Sequence, residues 1–222
     1  MNEKLPIAFT YPKEYFNITD TLECGQIFRY KRLPNGAYAV YSLDKYAELS
    51  YNGCDVEVRT QDKDYFWNFF DLDADYESKA RRISALSPLM SEAVAFGKGI
   101  RILNQDLTEM IFSFIISANN NIKRIQLIIE RICAALGNDT PYGKAFPSVQ
   151  SLASAPVRLF TEMGAGYRDR YLSETANRLL GYDLSVLSAL DSASARRELL
   201  TFTGVGPKVA DCIMLFGLKR GD

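Results

Sequence analysis

The sequence predicts an α+β protein: an N-terminal antiparallel sheet followed by a helical C-terminal part. Three observations lead there. Between about Gly25 and Arg59, tyrosine- and valine-rich stretches alternate around "PNG" and "YNG" turns. From Asp106 onward the apolar residues recur at helical spacing. No internal repeat or low-complexity segment interrupts the 222 residues, and 47% hydrophobic content suffices for the cores of one large or two ordinary domains.

Taken in order, "AYAVYSL" and "YAELSY" read as strands of a sheet covered on one face, with hairpin turns at the two Asn-Gly pairs. "DYFWNFF", "YESKARRISAL" and "PLMSEAVAF" then space their apolar residues as helices, and "GKG" at 97–99 ends that set. Asp106 reads as an N-cap with Glu109 as its capping-box partner, opening "LTEMIFSFIIS". In "IKRIQLIIERICAAL" the spacing puts Ile122, Ile125, Ile129, Ile132 and Leu136 on one face. Further helices are expected around 168–180 and 192–202. The predicted domains are 1–103, carrying the sheet and its flanking helices, and 104–222, wholly helical, with a helical hairpin at 193–218.

Composition excludes several classes. No apolar run approaches the ~20 residues of a membrane span, and "MNEKLPIAFTYPKEY" lacks the regions of a signal peptide, so the expected compartment is the cytoplasm. Cys24, Cys54, Cys133 and Cys212 are widely spaced, which signals neither a zinc site nor an iron–sulfur cluster. A net charge of −1 argues against indiscriminate coating of nucleic acid, although a local basic face is invisible in that sum.

The closing stretch "TFTGVGPKVADCIMLFGLKRGD" carries the chemistry. Gly204 and Gly206, followed by Pro207 at the first helical position, define a tight helix-to-helix connection whose unpaired amides form an anion seat. Lys208 stands in the first turn of that helix, where the dipole and partial burial are expected to lower its pKa and leave a nucleophilic amine. The competing reading is that the glycines only permit a sharp corner while Lys208 extends to solvent. These residues alone do not choose between the two.

Four segments together resemble the 8-oxoguanine DNA glycosylases of the helix-hairpin-helix superfamily: "CGQIFRY" at 24–30, "NQDLTEMIFSFIISANNNIKRI" at 104–125, "MGAGYRDRY" at 163–171 and "GVGPKVADCI" near the end. The resemblance implies a base-excision repair enzyme without metal or cofactor that acts as a monomer on damaged double-stranded DNA, away from membranes and, in a bacterium, at the nucleoid. Lys208 matches the catalytic lysine, which displaces the oxidised base and forms a Schiff base with the opened sugar, supporting glycosylase and lyase steps. Gly25 matches the glycine whose carbonyl accepts a hydrogen bond from the N7–H that distinguishes 8-oxoguanine from guanine, and Cys212 matches a cysteine lining the base pocket. Asn119 matches the residue that fills the gap left by base flipping, Arg124 and Arg168 the arginines that grip the opposite cytosine, and Tyr167 the aromatic wedge. Gly204, Gly206 and Val209 fall at the phosphate seat of the hairpin.

One departure qualifies the match. In the family a "PVD" segment about twenty residues after the lysine supplies a catalytic aspartate. Neither Asp211 nor Asp222 has the flanking residues to replace it, and a family histidine falls in the same missing part. The expectation is therefore a C-terminally truncated glycosylase with little excision of its own. The alternatives are a non-catalytic hairpin module that holds duplex DNA through its phosphates, or a glycosylase for a different base lesion.

Overall fold

The computed structural model describes residues 5–221. Two compact units divide the chain: residues up to Val40 with Tyr46–Leu103, and Tyr41–Lys45 with the residues from Asn104 onward.

The first unit is built on a five-stranded antiparallel sheet. Its strands are β1 (Ile7–Pro12), β2 (Tyr30–Arg32), β3 (Tyr38–Ser42), β4 (Lys45–Asn52) and β5 (Asp55–Thr60), in the order β1-β5-β4-β3-β2. Helix α1 (Ile18–Glu23) lies between β1 and β2, while α2 (Lys63–Phe69), α3 (Tyr76–Ser84) and α4 (Pro88–Phe96) follow β5. The predicted sheet region omitted β1 and α1. β1 closes one edge by pairing with β5, Thr10 opposite Glu57 and Tyr11 opposite Val56. The two Asn-Gly turns are present, with Gly36 at φ 84° and Gly53 at φ 60°. Alternation then sets the covered face: Ala47 and Leu49 of β4 and Val56 and Val58 of β5 join Phe16, Leu22, Phe66, Phe69 and Phe70 in one core. Helices α3 and α4 form where their periodicity predicts, yet they bury none of their residues, and Phe96 is 91% exposed.

A charged side chain sits inside this unit. Arg101 is 2% exposed, donating from Nε to the Tyr15 carbonyl at 2.8 Å, from Nη1 to the Asp71 carbonyl at 2.5 Å and from Nη2 to the Tyr11 hydroxyl at 2.9 Å. Its guanidinium also lies 4.5 Å from the centroid of the Tyr76 ring. Burial pushes the Tyr76 phenol up to about 12, and its hydroxyl donates to Asp71 Oδ2 at 2.9 Å. Two segments distant in sequence, around Tyr11–Tyr15 and Asp71–Tyr76, are thus gathered on one cation.

The second unit consists of α5 (Leu107–Ser117), α6 (Ile122–Leu136), the two-stranded ribbon β6 (Asp139–Thr140) and β7 (Gly143–Lys144), then α7 (Val149–Ser154), α8 (Val157–Glu162), α9 (Asp169–Leu179), α10 (Ser185–Ala189), α11 (Ser192–Leu199) and α12 (Pro207–Gly217). Asp106 caps α5 as expected, accepting from the Glu109 N–H at 2.9 Å. The Glu109 carboxylate itself is buried and accepts from the Leu43 N–H at 3.0 Å. Leu43, at φ 53°, also accepts from the Phe146 N–H at 2.8 Å, which explains why residues 41–45 belong to this unit and not to the predicted 1–103 domain. On α6 the buried face is Ile125, Ile128, Ile129, Ile132 and Cys133. Ile122 is exposed and Leu136 only half-buried, because the packed stripe runs through Ile128 and Cys133. Helices α7, α8 and α10 are short and carried no periodic signal of their own.

Replacing Arg101 by Met removes hydrogen bonds to a charged donor, each worth about 1.5–3 kcal/mol, and leaves partly buried carbonyls without them. Urea unfolding of Arg101→Met should show a loss of ~2 kcal/mol or more; unfolding at the wild-type midpoint would contradict this role.

Candidate active site

The α11–α12 connection is shaped by one crowded glycine. Gly204 stands at φ 84°, and a Cβ added there would lie 2.7 Å from Tyr171 Cβ, so the turn presses directly on α9. Thr175 Oγ1 reinforces it by donating to the Thr203 carbonyl at 3.0 Å. Gly206 is different. It has ordinary extended geometry, and an added Cβ would meet nothing within 4 Å. The fold requires glycine at 204 and not at 206.

Helix α12 begins there with no side-chain cap and with Pro207 at its first turn. The first-turn amides of Lys208 and Val209 therefore lie at the positive end of the helix dipole. Val209 buries its side chain, leaving only its main chain for such a role. Lys208 is exposed, so the partial burial expected from the sequence is absent. One turn further, Cys212 is half-buried; burial pushes its thiol up, partly opposed by the positive charge of Lys208. Asp211 is committed elsewhere: Arg196 Nε and Nη2 donate to its two carboxylate oxygens at 2.6 and 3.3 Å, which holds the carboxyl below its usual range. Asp222 lies outside the described residues.

Facing α12 is the end of α5. The two helices pack closely, with the Phe114 and Phe216 rings stacked at 5.7 Å and Gly217 beside Leu107. Beyond α5 the chain turns at Asn119, whose φ of 49° places it in the left-handed region, with its side chain exposed. Asn121 caps α6 by accepting from the Arg124 N–H at 3.0 Å. A cavity of ≈ 250 Å³ lies between the two segments, lined by Ser117, Ala118, Asn119, Gly206, Lys208 and Cys212 among others. Sequence reasoning singled out four of these; Ser117 it missed, since a serine at the end of an apolar helix reads as a helix terminus.

The third segment is residues 163–168. Tyr167 is 56% exposed, and its hydroxyl donates to the Ala118 carbonyl at 3.3 Å. Arg124 is exposed, donating only at 3.4 Å to the Gly164 carbonyl. Arg168 is turned inward in this DNA-free structure. It is 3% exposed, donating from Nε to the Ala118 carbonyl at 2.9 Å, from Nη1 to Ala165 at 3.1 Å and from Nη2 to Asn119 at 3.0 Å and to Ala118. Its guanidinium lies 4.3 Å from the Tyr167 ring centroid. Lys208, Cys212 and Asn119 thus line one cavity of the second unit, Tyr167 and Arg168 bond to the Asn119 turn beside it, and Arg124 bonds to Gly164. Gly25 lies in the first unit, at φ 89°, between the end of α1 and β2.

Comparison with known proteins adds an independent line. The family model described as the 8-oxoguanine DNA glycosylase N-terminal domain matches residues 8–111. The N-glycosylase/DNA lyase of Saccharomyces cerevisiae is 37% identical over 139 residues, a match covering 54% of this chain and 37% of the yeast protein, so the chain aligns with well under half of that relative. The apo crystal structure of the Clostridium acetobutylicum 8-oxoguanine glycosylase/lyase is 38% identical with a TM-score of 0.88, covering 93% of this chain and 76% of that one. A second structure of the Clostridium enzyme, in complex with double-stranded DNA containing cytosine opposite 8-oxoG, gives 35% identity and a TM-score of 0.88, with 98% and 80% covered.

The two glycines separate packing from function in a stability measurement. Gly204→Ala should cost ~2 kcal/mol or more, from the left-handed backbone and the clash with Tyr171. Gly206→Ala should stay within ~0.5 kcal/mol of wild type. Equal losses in thermal unfolding would show that Gly206 is also held by the fold.

Proposed function

This chain belongs to the 8-oxoguanine DNA glycosylase family, and on that premise we propose that it is a base-excision glycosylase and lyase acting on 8-oxoguanine in duplex DNA, with Lys208 as nucleophile. The observation that carries the proposal is that three segments come together: the Lys208 turn and the Asn119 turn line one cavity, and the Tyr167–Arg168 corner hydrogen-bonds to the Asn119 turn. A hairpin that only held phosphates would need the first of these alone. The open space at Gly206 supports the same reading, because a glycine that the protein does not need suits close approach by an external backbone.

In this account the duplex docks its phosphates on the amides that open α12, where the dipole favours an anion. Tyr167 and Asn119 act at the distorted helix: the exposed ring wedges beside the flipped nucleotide, and the amide of Asn119 occupies the vacated position. Arg124 faces solvent and reaches the estranged cytosine. Arg168 reaches that base only by giving up the carbonyls of Ala118 and Asn119, so in the DNA-free chain it serves the turn. In the second unit Cys212 lines the pocket for the extruded base; the family resemblance assigns the lesion-testing carbonyl to Gly25.

The chemistry follows from a primary amine. Lys208 Nζ in its unprotonated form attacks C1′, forming a C–N bond as the bond to the base breaks and its electron pair leaves with the base. Ring opening gives a Schiff base. Loss of a C2′ proton then expels the 3′ phosphate and nicks the strand, without metal or redox partner. The exposure of Lys208 supports an amine open to the sugar of a docked duplex.

An abasic-site duplex isolates the amine step, since its aldehyde needs no base to be removed. Borohydride should trap the wild-type protein on that duplex covalently, and Lys208→Gln should reduce the trapped species by about 10²-fold or more, within the range lost with one essential catalytic group. Trapping that survives the substitution would assign the chemistry to another amine.

A further inference from the structure

Next to Gly25 is a buried amide to which no role has yet been given. Gln26 is 0% exposed, and its side chain spans two other segments of the first unit. Nε2 donates to the Thr21 carbonyl at the end of α1 and to the Arg101 carbonyl, each at 2.8 Å, with a longer approach of 3.4 Å to Cys24 Sγ. Oε1 accepts from the Leu103 N–H at 3.0 Å. Two carbonyls before Nε2 and an N–H before Oε1 fix the orientation of the amide. Thr21 completes the clamp, its Oγ1 accepting from the Arg101 N–H at 3.1 Å.

The consequence for Gly25 comes from the peptide bond. The Gly25 carbonyl and the Gln26 N–H belong to one planar unit, so immobilising Gln26 also fixes where that carbonyl points. Gly25 itself supplies no restraint, because at φ 89° it lies in a region only glycine visits freely. A carbonyl on so permissive a residue keeps one direction only if its neighbour is held.

We propose that Gln26 is a positioning residue for lesion recognition: its buried amide clamp orients the Gly25 carbonyl to accept the N7–H of 8-oxoguanine. The proposal rests on the reading of Gly25 as the lesion-contacting carbonyl. It distinguishes Gln26 from an amide that merely fills the core, since its loss would affect the choice between oxidised and normal guanine more than any step that follows base removal.

The test compares affinities for 8-oxoguanine:cytosine and guanine:cytosine duplexes, with borohydride trapping on an abasic duplex as the control lacking a base. Gln26→Leu keeps the volume and removes the clamp. Thr21→Val removes only the Oγ1 acceptor and is the milder variant should the first fail to fold. In the folded variant the preference for the oxidised duplex should fall ~2- to 10-fold, the span of one net hydrogen bond, while abasic trapping stays within about twofold of wild type. An unchanged preference overturns the proposal, and so does a parallel fall in trapping, which would mark a purely structural amide. A wild-type chain with no preference would instead overturn the reading of Gly25, and the proposal with it.

Discussion

The arrangement of the site depends on a buried guanidinium that holds the end of another helix. Helix α5 stops at Ser117, and the carbonyls of Ala118 and Asn119 just beyond it accept hydrogen bonds from the buried Arg168 guanidinium. A buried arginine is costly without acceptors, and terminal carbonyls are costly without donors; each resolves the other's cost. Asn119 is held in a left-handed conformation by this pairing, beside the cavity that Lys208 lines. The same arginine keeps Tyr167 next to that turn, through its own ring contact and through their shared acceptor, Ala118.

Two kinds of glycine bring α12 to that turn. Gly204 is required by contact with Tyr171, where a side chain would press on Cβ and the ring, while Gly217 lies against the flexible end of Leu107. Gly206 answers to nothing within the protein. The distinction matters because a glycine-rich helix connection is ambiguous in sequence, serving either a sharp corner or a ligand, and here one connection contains both. In the first unit the logic repeats with different groups: Arg101 holds Tyr11, Tyr15 and Asp71, while Gln26 ties the turn beside Gly25 to the carbonyls of Thr21 and Arg101 and the N–H of Leu103.

Much of the fold was legible because its signals are local. The Asn-Gly turns, the Asp106 cap and the apolar stripe of α6 each follow from a few adjacent residues. What escaped was decided at a distance. β1 is a strand because β5 offers it an edge 43 or more residues later in the chain, a pairing no short window of sequence contains. Residues 41–45 join the second unit through Glu109 and Phe146, partners that "AYAVYSL" does not announce. At the site, the family resemblance proposed which residues to look for, whereas their burial and bonding were not legible. The inward commitment of Arg168 depends on Ala118 and Asn119, 50 and 49 positions away, in a segment whose packing no single motif encodes.

The central claim is that three sequence-distant segments of the second unit form one face for damaged duplex DNA. Amide hydrogen exchange with and without an 8-oxoguanine:cytosine duplex tests it most directly, because it reads all three segments at once without requiring turnover. The account predicts slowed exchange together at 117–121, 164–168 and 204–210. Protection confined to 204–210 would contradict it, leaving a hairpin that holds phosphates and nothing built around Lys208.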